Sequence, residues 1–212
     1  MAEKNNPYIK ICGMTREEDA LMALELGTDA IGMLFYEKSP RYVTKEQACA
    51  ISQAVEKRNP AVLKVGLFVD ADDAFVRDTL ASVSLDVLQF HGSESEAFCG
   101  SFGLPYWKTV RPQRAEELPD AIAGYPSAAG ILVDTWHPTK AGGTGETFDW
   151  SVLDGLQVQH LILAGGLNPE NIAEAVDRVD PWAVDVCSGV EKSPGIKSRE
   201  LMKKFIDEVH CV

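Results

Sequence analysis

Short apolar runs alternate with longer amphipathic segments from one end of the chain to the other, and this alternation constrains the fold more than any other feature. Apolar runs of this length are typical of buried strands, and amphipathic segments between them are typical of helices. The predicted strands are Tyr8–Cys12, Ala30–Leu34, Leu63–Val69, Val87–Phe90, Tyr106–Val110, Gly130–Asp134, Leu161–Ala164 and Trp182–Val186.

The helical segments have recognisable starts. Thr15 with Glu18, and Thr44 with Gln47, have the spacing of a capping box. Asn168 precedes Pro169, a combination typical of a cap residue followed by proline at the first helical position. Further helices are predicted over Asp72–Ser82, Arg114–Ala123 and Ser198–Val212.

Eight strand–helix units predict parallel strands joined by right-handed crossovers. Either a doubly wound open sheet or a closed barrel satisfies this pattern. The 212 residues divide into about 26 per unit, which suits a small barrel. We therefore expect an α/β chain that forms a single (β/α)8 TIM barrel over residues 1–212, although this arithmetic alone does not exclude an open sheet of six strands.

The net charge and the spacing of the cysteines exclude several kinds of partner and site. The net charge of -12 argues against nucleic acid and against an anionic membrane as partners, because both are anionic. The five cysteines are scattered without a CxxC motif, which favours a reducing compartment over a disulfide framework or a zinc site. With no apolar run of the signal-peptide type at the N-terminus, the expected location is the cytoplasm.

Polar residues lie at or near the carboxyl ends of several predicted strands. Side chains two residues apart lie on one face of a strand. Lys10 therefore shares a face with Cys12, Gln89 with His91 and Asp185 with Cys187. Asp134 ends the sixth strand. Each residue has a structural interpretation, and Lys10 and Asp185 could form an ion pair between neighbouring strands. Their shared location instead favours one site, since α/β barrels carry their chemistry at this end.

Glycine-rich turns follow the last two predicted strands, at Gly165-Gly166 and at Ser188-Gly189. Glycine lets the backbone approach a ligand closely, and free backbone N–H groups attract anions, so these turns predict a phosphate site. A third segment contains Gly142 and Gly143, inside the long connection 135–149, and is a candidate lid. No Gly-Lys-Ser/Thr follows it, which argues against a P-loop.

The chain resembles the phosphoribosylanthranilate isomerase family of tryptophan biosynthesis. The motifs that carry this resemblance follow one another in family order and span nearly the whole chain: residues 10–15 (KICGMT), 39–42 (SPRY), 88–92 (LQFHG), 133–135 (VDT), 142–145 (GGTG), 165–171 (GGLNPEN) and 184–191 (VDVCSGVE).

The resemblance implies a (β/α)8 barrel that isomerises N-(5-phosphoribosyl)anthranilate to 1-(2-carboxyphenylamino)-1-deoxyribulose 5-phosphate, without a cofactor or a metal. Cys12 would be the general base and Asp134 the general acid, while Arg41 would bind the anthranilate carboxylate. The turns at Gly165-Gly166 and Ser188-Gly189 would bind the phosphate. His91, Gly142 and Gly143 are further candidate substrate-binding residues.

Two further expectations follow from the resemblance. The only partner it implies is a small phosphoribosyl substrate, and a monomer is favoured over a homodimer. The chain departs from the family pattern at Cys187, where a serine is usual, and this puts one possible phosphate contact in question.

The expected reaction needs an acid that protonates the furanose ring oxygen and a base that removes the C2′ proton. Asp134 could serve as the acid if burial raises its pKa, and Cys12 could serve as the base if its pKa is lowered. Lys10, on the same face of the first strand, is the residue expected to lower the pKa of Cys12.

Three alternatives stay open. The aminoaldose isomerase of histidine biosynthesis performs the same type of rearrangement, but that family has aspartate where this chain has Cys12. The indole-glycerol phosphate synthase family relies on lysine and glutamate at strand ends and has a longer N-terminal extension. A catalytically silent phosphate-binding barrel would be marked by loss of Cys12 or Asp134, and both are present.

Overall fold

Eight parallel strands form a closed barrel. The computed structural model describes residues 6–111, 114–134, 150–153, 156, 158 and 160–212. Strand order follows chain order, and the last strand pairs with the first. The barrel strands are β1 Tyr8–Ile11, β2 Ala30–Leu34, β3 Leu63–Phe68, β4 Val87–Phe90, β5 Tyr106–Val110, β6 Gly130–Val133, β7 Leu161–Leu163 and β8 Ala183–Val186.

Closure rests on the pairing of β1 with β8, in which Lys10 lies opposite Asp185 and Ile11 opposite Val186. Each of the remaining pairs of neighbouring strands around the ring is also joined by a parallel ladder. The closed barrel is therefore confirmed, and the open-sheet alternative is excluded. Every barrel strand lies within its predicted range, and the largest difference is one residue at an end.

Helices follow most of the strands on the outside of the barrel. A small antiparallel hairpin, β9 Glu191–Ser193 with β10 Ile196–Lys197, follows β8. The described α-helices are α1 Glu17–Leu26, α2 Lys45–Arg58, α3 Asp73–Ser82, α4 Glu96–Cys99, α5 Leu118–Ala123, α6 Ile172–Val179 and α7 Arg199–His210.

The predicted helix starts have mixed outcomes. Thr44 and Gln47 form the predicted capping box at α2. The prediction for Thr15 was wrong, since α1 begins at Glu17 and the Thr15 hydroxyl donates to the Gly195 carbonyl at 2.5 Å. The prediction for Asn168 was also wrong, because its side chain accepts a hydrogen bond from the Glu170 amide in a separate turn, and α6 begins only at Ile172.

The barrel interior changes from apolar to polar along its axis. One set of inward-facing side chains forms a compact apolar cluster, consisting of Ala30, Val65, Val87, Trp107, Leu132, Ile162, Ala164 and Ala183. Nearer the carboxyl ends of the strands the buried inward-facing positions carry Lys10, Gln89 and Asp185. The polar end of the interior is therefore the end at which the predicted site lies.

Among the described residues, no helix combines the length and apolarity that crossing a bilayer requires. The candidate lid 135–149, with the predicted substrate-binding residues Gly142 and Gly143, lies outside the described residues.

Candidate active site

The polar layer is built around a buried ion pair between neighbouring strands. Lys10 Nζ donates to Asp185 Oδ2 at 2.8 Å, and the two side chains are 1% and 8% exposed. Burial alone would lower the pKa of Lys10, but Asp185 and Cys12 outweigh it and hold the pKa above its usual value. Burial raises the pKa of Asp185 to about 7 despite the opposing charge of Lys10. The predicted pairing of these two residues is confirmed.

Cys12 follows β1 and lies above this pair. Its amide donates to the Val186 carbonyl at 2.8 Å, and the residue is 4% exposed. On the neighbouring strand, Gly32 leaves the space that the Cys12 thiol and the Lys10 ammonium occupy. A Cβ at Gly32 would lie 2.6 Å from Cys12 Sγ and 3.1 Å from Lys10 Nζ. The absence of a side chain at this position therefore shapes the site.

A second thiol lies against the first. Cys187 follows β8, and its side chain hydrogen-bonds to that of Cys12. This bond and burial raise the pKa of Cys12 well above that of a free thiol, and the charge of Lys10 opposes them only in part. The hydrogen bond from Cys12, with the charges of Lys197 and Arg41, lowers the pKa of Cys187 to about 7. Cys187 is therefore the more acidic thiol of the pair.

A buried network of charged side chains lies beside Cys187. Lys197 Nζ donates to the Cys187 carbonyl at 3.0 Å and to Glu191 Oε1 at 2.9 Å, and lies 3.9 Å from Cys187 Sγ. Arg41 binds Glu191 in a bidentate pair, with Nε at 2.8 Å and one terminal nitrogen at 2.6 Å. Nη1 is the guanidinium nitrogen of Arg41 that this pair does not use.

Asp134 follows β6 and lies between the side chains of His91 and Arg111. His91 Nε2 lies 3.4 Å from Asp134 Oδ2, and Arg111 Nε donates to the same oxygen at 3.2 Å. The other ring nitrogen of His91 lies 2.8 Å from Thr109 Oγ1. Burial would raise the pKa of Asp134, but His91 and Arg111 outweigh it and hold the pKa below its usual value.

The pKa conditions that the reaction sets are not met in the free protein. The pKa of Asp134 is lowered, because its hydrogen-bond partners favour the carboxylate. Lys10 lowers the pKa of Cys12, as expected, but the Cys187 thiol and burial raise it by more. The opposing contacts come from residues far away in sequence.

The two predicted phosphate turns lie side by side. Gly165 and Gly166 have positive φ angles of 83° and 66°. Asn168 and Asn171 each donate to the Gly166 carbonyl at 3.1 Å. A Cβ at Gly189 would lie 2.0 Å from the Leu167 carbonyl oxygen, so the turn after β8 packs directly on the turn after β7. Ser188 is exposed next to this contact.

Several residues of the site were missed by sequence reasoning. Lys197 and Glu191 lie on the hairpin after β8, and Thr109 and Arg111 lie near the end of β5. The alternation of β5 places Thr109 on the inward face, so this signal was available. The bend that returns Lys197 to Cys187 leaves no comparable pattern. Among the described residues, Gln89 Oε1 and Asp185 Oδ1 are buried without a hydrogen-bond partner.

In chemical terms, the mouth of the barrel brings together a thiol–thiolate pair, a carboxylate shared with an imidazole, and two turns with accessible backbone. This arrangement can take a proton at one position of a small molecule, give one at another, and hold an anionic group beside them.

The family model for N-(5′-phosphoribosyl)anthranilate isomerase matches residues 9–208. A curated N-(5′-phosphoribosyl)anthranilate isomerase of Pseudomonas fluorescens strain Pf0-1 is 50% identical over 200 residues, covering 94% of this chain and 97% of the relative.

Two solved structures are similar over 97% of this chain and the whole of theirs, each with a TM-score of 0.85 and 37% identity. One shows monomers generated from the dimeric phosphoribosylanthranilate isomerase of Thermotoga maritima. The other is a phosphoribosylanthranilate isomerase in complex with reduced 1-(o-carboxyphenylamino)-1-deoxyribulose 5-phosphate.

Proposed function

The chain belongs to the N-(5′-phosphoribosyl)anthranilate isomerase family, and on that premise we propose that Cys12 is the general base and Asp134 the general acid of its reaction. The enzyme converts N-(5-phosphoribosyl)anthranilate to 1-(2-carboxyphenylamino)-1-deoxyribulose 5-phosphate in tryptophan biosynthesis. The observation that carries the residue assignment is that both groups follow strands at the same mouth of one barrel, next to the turns after β7 and β8.

The acid step begins at the furanose ring. Asp134 Oδ2 gives a proton to the ring oxygen, the bond from that oxygen to C1′ breaks, and the nitrogen lone pair completes a Schiff base. His91 and Arg111 hold the pKa of Asp134 below its usual value in the free protein, so the carboxyl group must take up its proton as the substrate binds. A bound substrate that excludes water would also raise the pKa of Asp134.

The base step removes the proton from C2′. Its electron pair moves toward the iminium carbon and gives an enolamine, which tautomerises to the ketone. Cys12 takes this proton as a thiolate, after its own proton has passed to Cys187 along the hydrogen bond between the two thiols. Cys187 thus acts through Cys12 as a positioning residue, and Lys197 stabilises the charge that the two thiols share.

Substrate binding divides among three groups. Gly165, Gly166, Ser188 and Gly189 bind the phosphate in our proposal, supported by the packing of the two turns. Arg41 binds the anthranilate carboxylate through Nη1, the nitrogen that does not bind Glu191. His91 orients Asp134 at the sugar, and Gly142 and Gly143, which lie outside the described residues, are proposed as further substrate-binding residues. These assignments require neither a cofactor nor a metal.

Substitution of the two reacting groups tests the assignment. General acids and bases contribute about 10²–10⁴-fold each, so Cys12→Ala and Asp134→Asn should each lower kcat by at least the lower figure. The loss of substrate fluorescence measures turnover, and far-UV circular dichroism checks the fold. Turnover within about threefold of the wild-type value in either variant would remove that residue from the mechanism.

We further propose that the enzyme acts as a monomeric single domain, residues 1–212, in the cytoplasm. Tyr8 and Ile196 are the large apolar side chains that the described part of the surface exposes, and they are isolated. The five free cysteines suit a reducing compartment. Light scattering should give a mass near 23.1 kDa, and a doubled mass, as for the dimeric Thermotoga maritima relative, would contradict the monomer.

A further inference from the structure

Two cysteines end neighbouring strands at directly opposed positions. The pairing of β1 with β8 sets Lys10 opposite Asp185 and Ile11 opposite Val186, so that Cys12 and Cys187 come next on either side. The bond from the Cys12 amide to the Val186 carbonyl, at 2.8 Å, carries the ladder past the last strand residue. Opposed Cα atoms on adjacent strands lie about 4.8 Å apart, which is within the range that a disulfide spans.

The two thiols also point to the same side. Lys10 and Asp185, the preceding inward-facing residues of each strand, meet at 2.8 Å inside the barrel. Two positions after Lys10 and two after Asp185 the same face returns, and a Cβ on Gly13, the residue after Cys12, would lie 2.8 Å from Cys187 Sγ. The other free cysteines lie on separate elements, Cys49 on α2, Cys99 on α4 and Cys211 after α7.

The surroundings of the pair favour reaction with an oxidant. Lys197 and Arg41 place positive charge beside Cys187, and the pKa of that thiol, which also accepts the hydrogen bond from Cys12, is lowered to about 7. Cys187 is half-buried and precedes the exposed Ser188 at the carboxyl end of the barrel strands. A thiolate next to a second thiol is the arrangement in which a sulfenic acid, once formed, is trapped as a disulfide.

We propose that Cys12 and Cys187 form a reversible intramolecular disulfide when a peroxide enters the site. The Cys187 thiolate attacks one peroxide oxygen, the O–O bond breaks, and a sulfenic acid forms with release of hydroxide, which becomes water. Cys12 sulfur then attacks the sulfenic sulfur, the S–S bond forms, and the hydroxyl leaves as a second water with the Cys12 proton. Two thiols are oxidised and one peroxide is reduced.

Formation of the disulfide would also stop turnover. A disulfide removes the thiol of Cys12, so the isomerase stops until a dithiol reductant restores it. This consequence rests on the proposed function, in which Cys12 is the base, whereas disulfide formation depends only on the geometry of the pair. The enzyme would thereby respond to the oxidant level of its compartment, as transient cytosolic disulfides do.

Peptide mapping of the oxidised full-length protein tests the bond. The protein is treated with hydrogen peroxide at a low molar excess, alkylated, digested with trypsin without reduction and analysed by mass spectrometry. We expect peptide 11–16 joined to peptide 179–192, with a mass two hydrogens below the sum of the reduced peptides. The free thiol count should fall from five by two, and dithiothreitol should restore both thiols and turnover.

Two variants separate the possible outcomes. Cys187→Ser should lose the linked peptide and the part of the inactivation that dithiothreitol reverses, whereas Cys49→Ser should give the same linked peptide as the wild type. Oxidation of Cys12 to a sulfinic acid without any linked peptide, or a link to Cys99 or Cys211, would overturn the proposal. A linked peptide with full turnover would support the disulfide and disprove Cys12 as the base.

Discussion

Single residues around Cys12 and Cys187 determine the pKa values of these two thiols. The pKa of Cys187 is lowered to about 7 by the hydrogen bond from Cys12 and by the buried ammonium of Lys197, which lies 3.9 Å from its sulfur. Lys10, although closer to Cys12 in sequence, is paired with Asp185 and offsets only part of the rise in the pKa of Cys12. The reactivity of the site therefore depends on a lysine from the hairpin after β8.

Replacing Lys197 tests this dependence. Loss of a nearby positive charge disfavours a thiolate, so Lys197→Met should raise the pKa of Cys187 above about 7, by about one unit or more. The rate of iodoacetamide labelling, followed against pH, gives this pKa. Lys192→Met, on the exposed strand of the same hairpin, is the matched control and should leave the labelling midpoint in place. A midpoint that does not move in Lys197→Met would disprove the role of Lys197.

A glycine on β2 is equally specific to the chemistry. In Gly32→Ala the new Cβ would meet Cys12 Sγ at 2.6 Å, so the thiol must move. Since misplacement of a reacting group by about 1 Å can cost about 10²-fold, we expect kcat to fall by that order while the fold is kept. Turnover and thermal melting would be compared with Gly124→Ala, where the nearest atom lies at 3.5 Å. Equal turnover in the two variants would contradict the argument.

At the scale of elements, the turns after β7 and β8 act as one unit. The Gly189 backbone fits against the Leu167 carbonyl, where a Cβ would approach to 2.0 Å. Because that neighbour is backbone, it cannot rotate away as a side chain could. The spacing of the two turns, and with it the proposed phosphate site, is therefore fixed by the absence of a side chain at Gly189.

Gly189→Ala should separate the turns and weaken phosphate binding. We expect KM for the phosphoribosyl substrate to rise by about tenfold or more, and kcat to change less, because the phosphate does not react. The steady-state constants measure this, with Gly100→Ala, whose nearest atom is 3.6 Å away, as control. A loss confined to kcat would place Gly189 outside the phosphate site.

The secondary-structure elements were the features that the sequence predicted best. The strands β1 to β8 were predictable because each is a short apolar run between polar turns, and inward-facing Lys10, Gln89 and Asp185 followed from alternation. Thr15 did not cap α1, since its hydroxyl is taken by Gly195 from the distant hairpin. Local patterns thus predicted elements, whereas contacts across the barrel decided caps and pKa values.

For the whole molecule, one buried carboxylate links parts of the chain that are far apart. Glu191, 4% exposed, binds Arg41 from the segment between β2 and α2 and Lys197 from β10. Burial would raise its pKa, but the two cations outweigh burial and hold the pKa below its usual value. The unfolded chain has no such partners, so there the carboxyl group takes up a proton at higher pH than in the folded enzyme.

Stability should therefore fall in acid, and Glu191 should contribute to that fall. A carboxylate with a lowered folded pKa stabilises the fold above its unfolded pKa, about 4.3, and this contribution is lost as the pH falls through the folded pKa. Glu191→Gln should be less stable than the wild type at pH 7, and the two free energies of unfolding should converge as the pH falls from 7 to below about 4.3. Urea titrations at each pH measure the difference, with Glu200→Gln, an exposed residue of α7, as control. A difference between wild type and Glu191→Gln that stays constant over this range would show that the network holds Glu191 without favouring its charge.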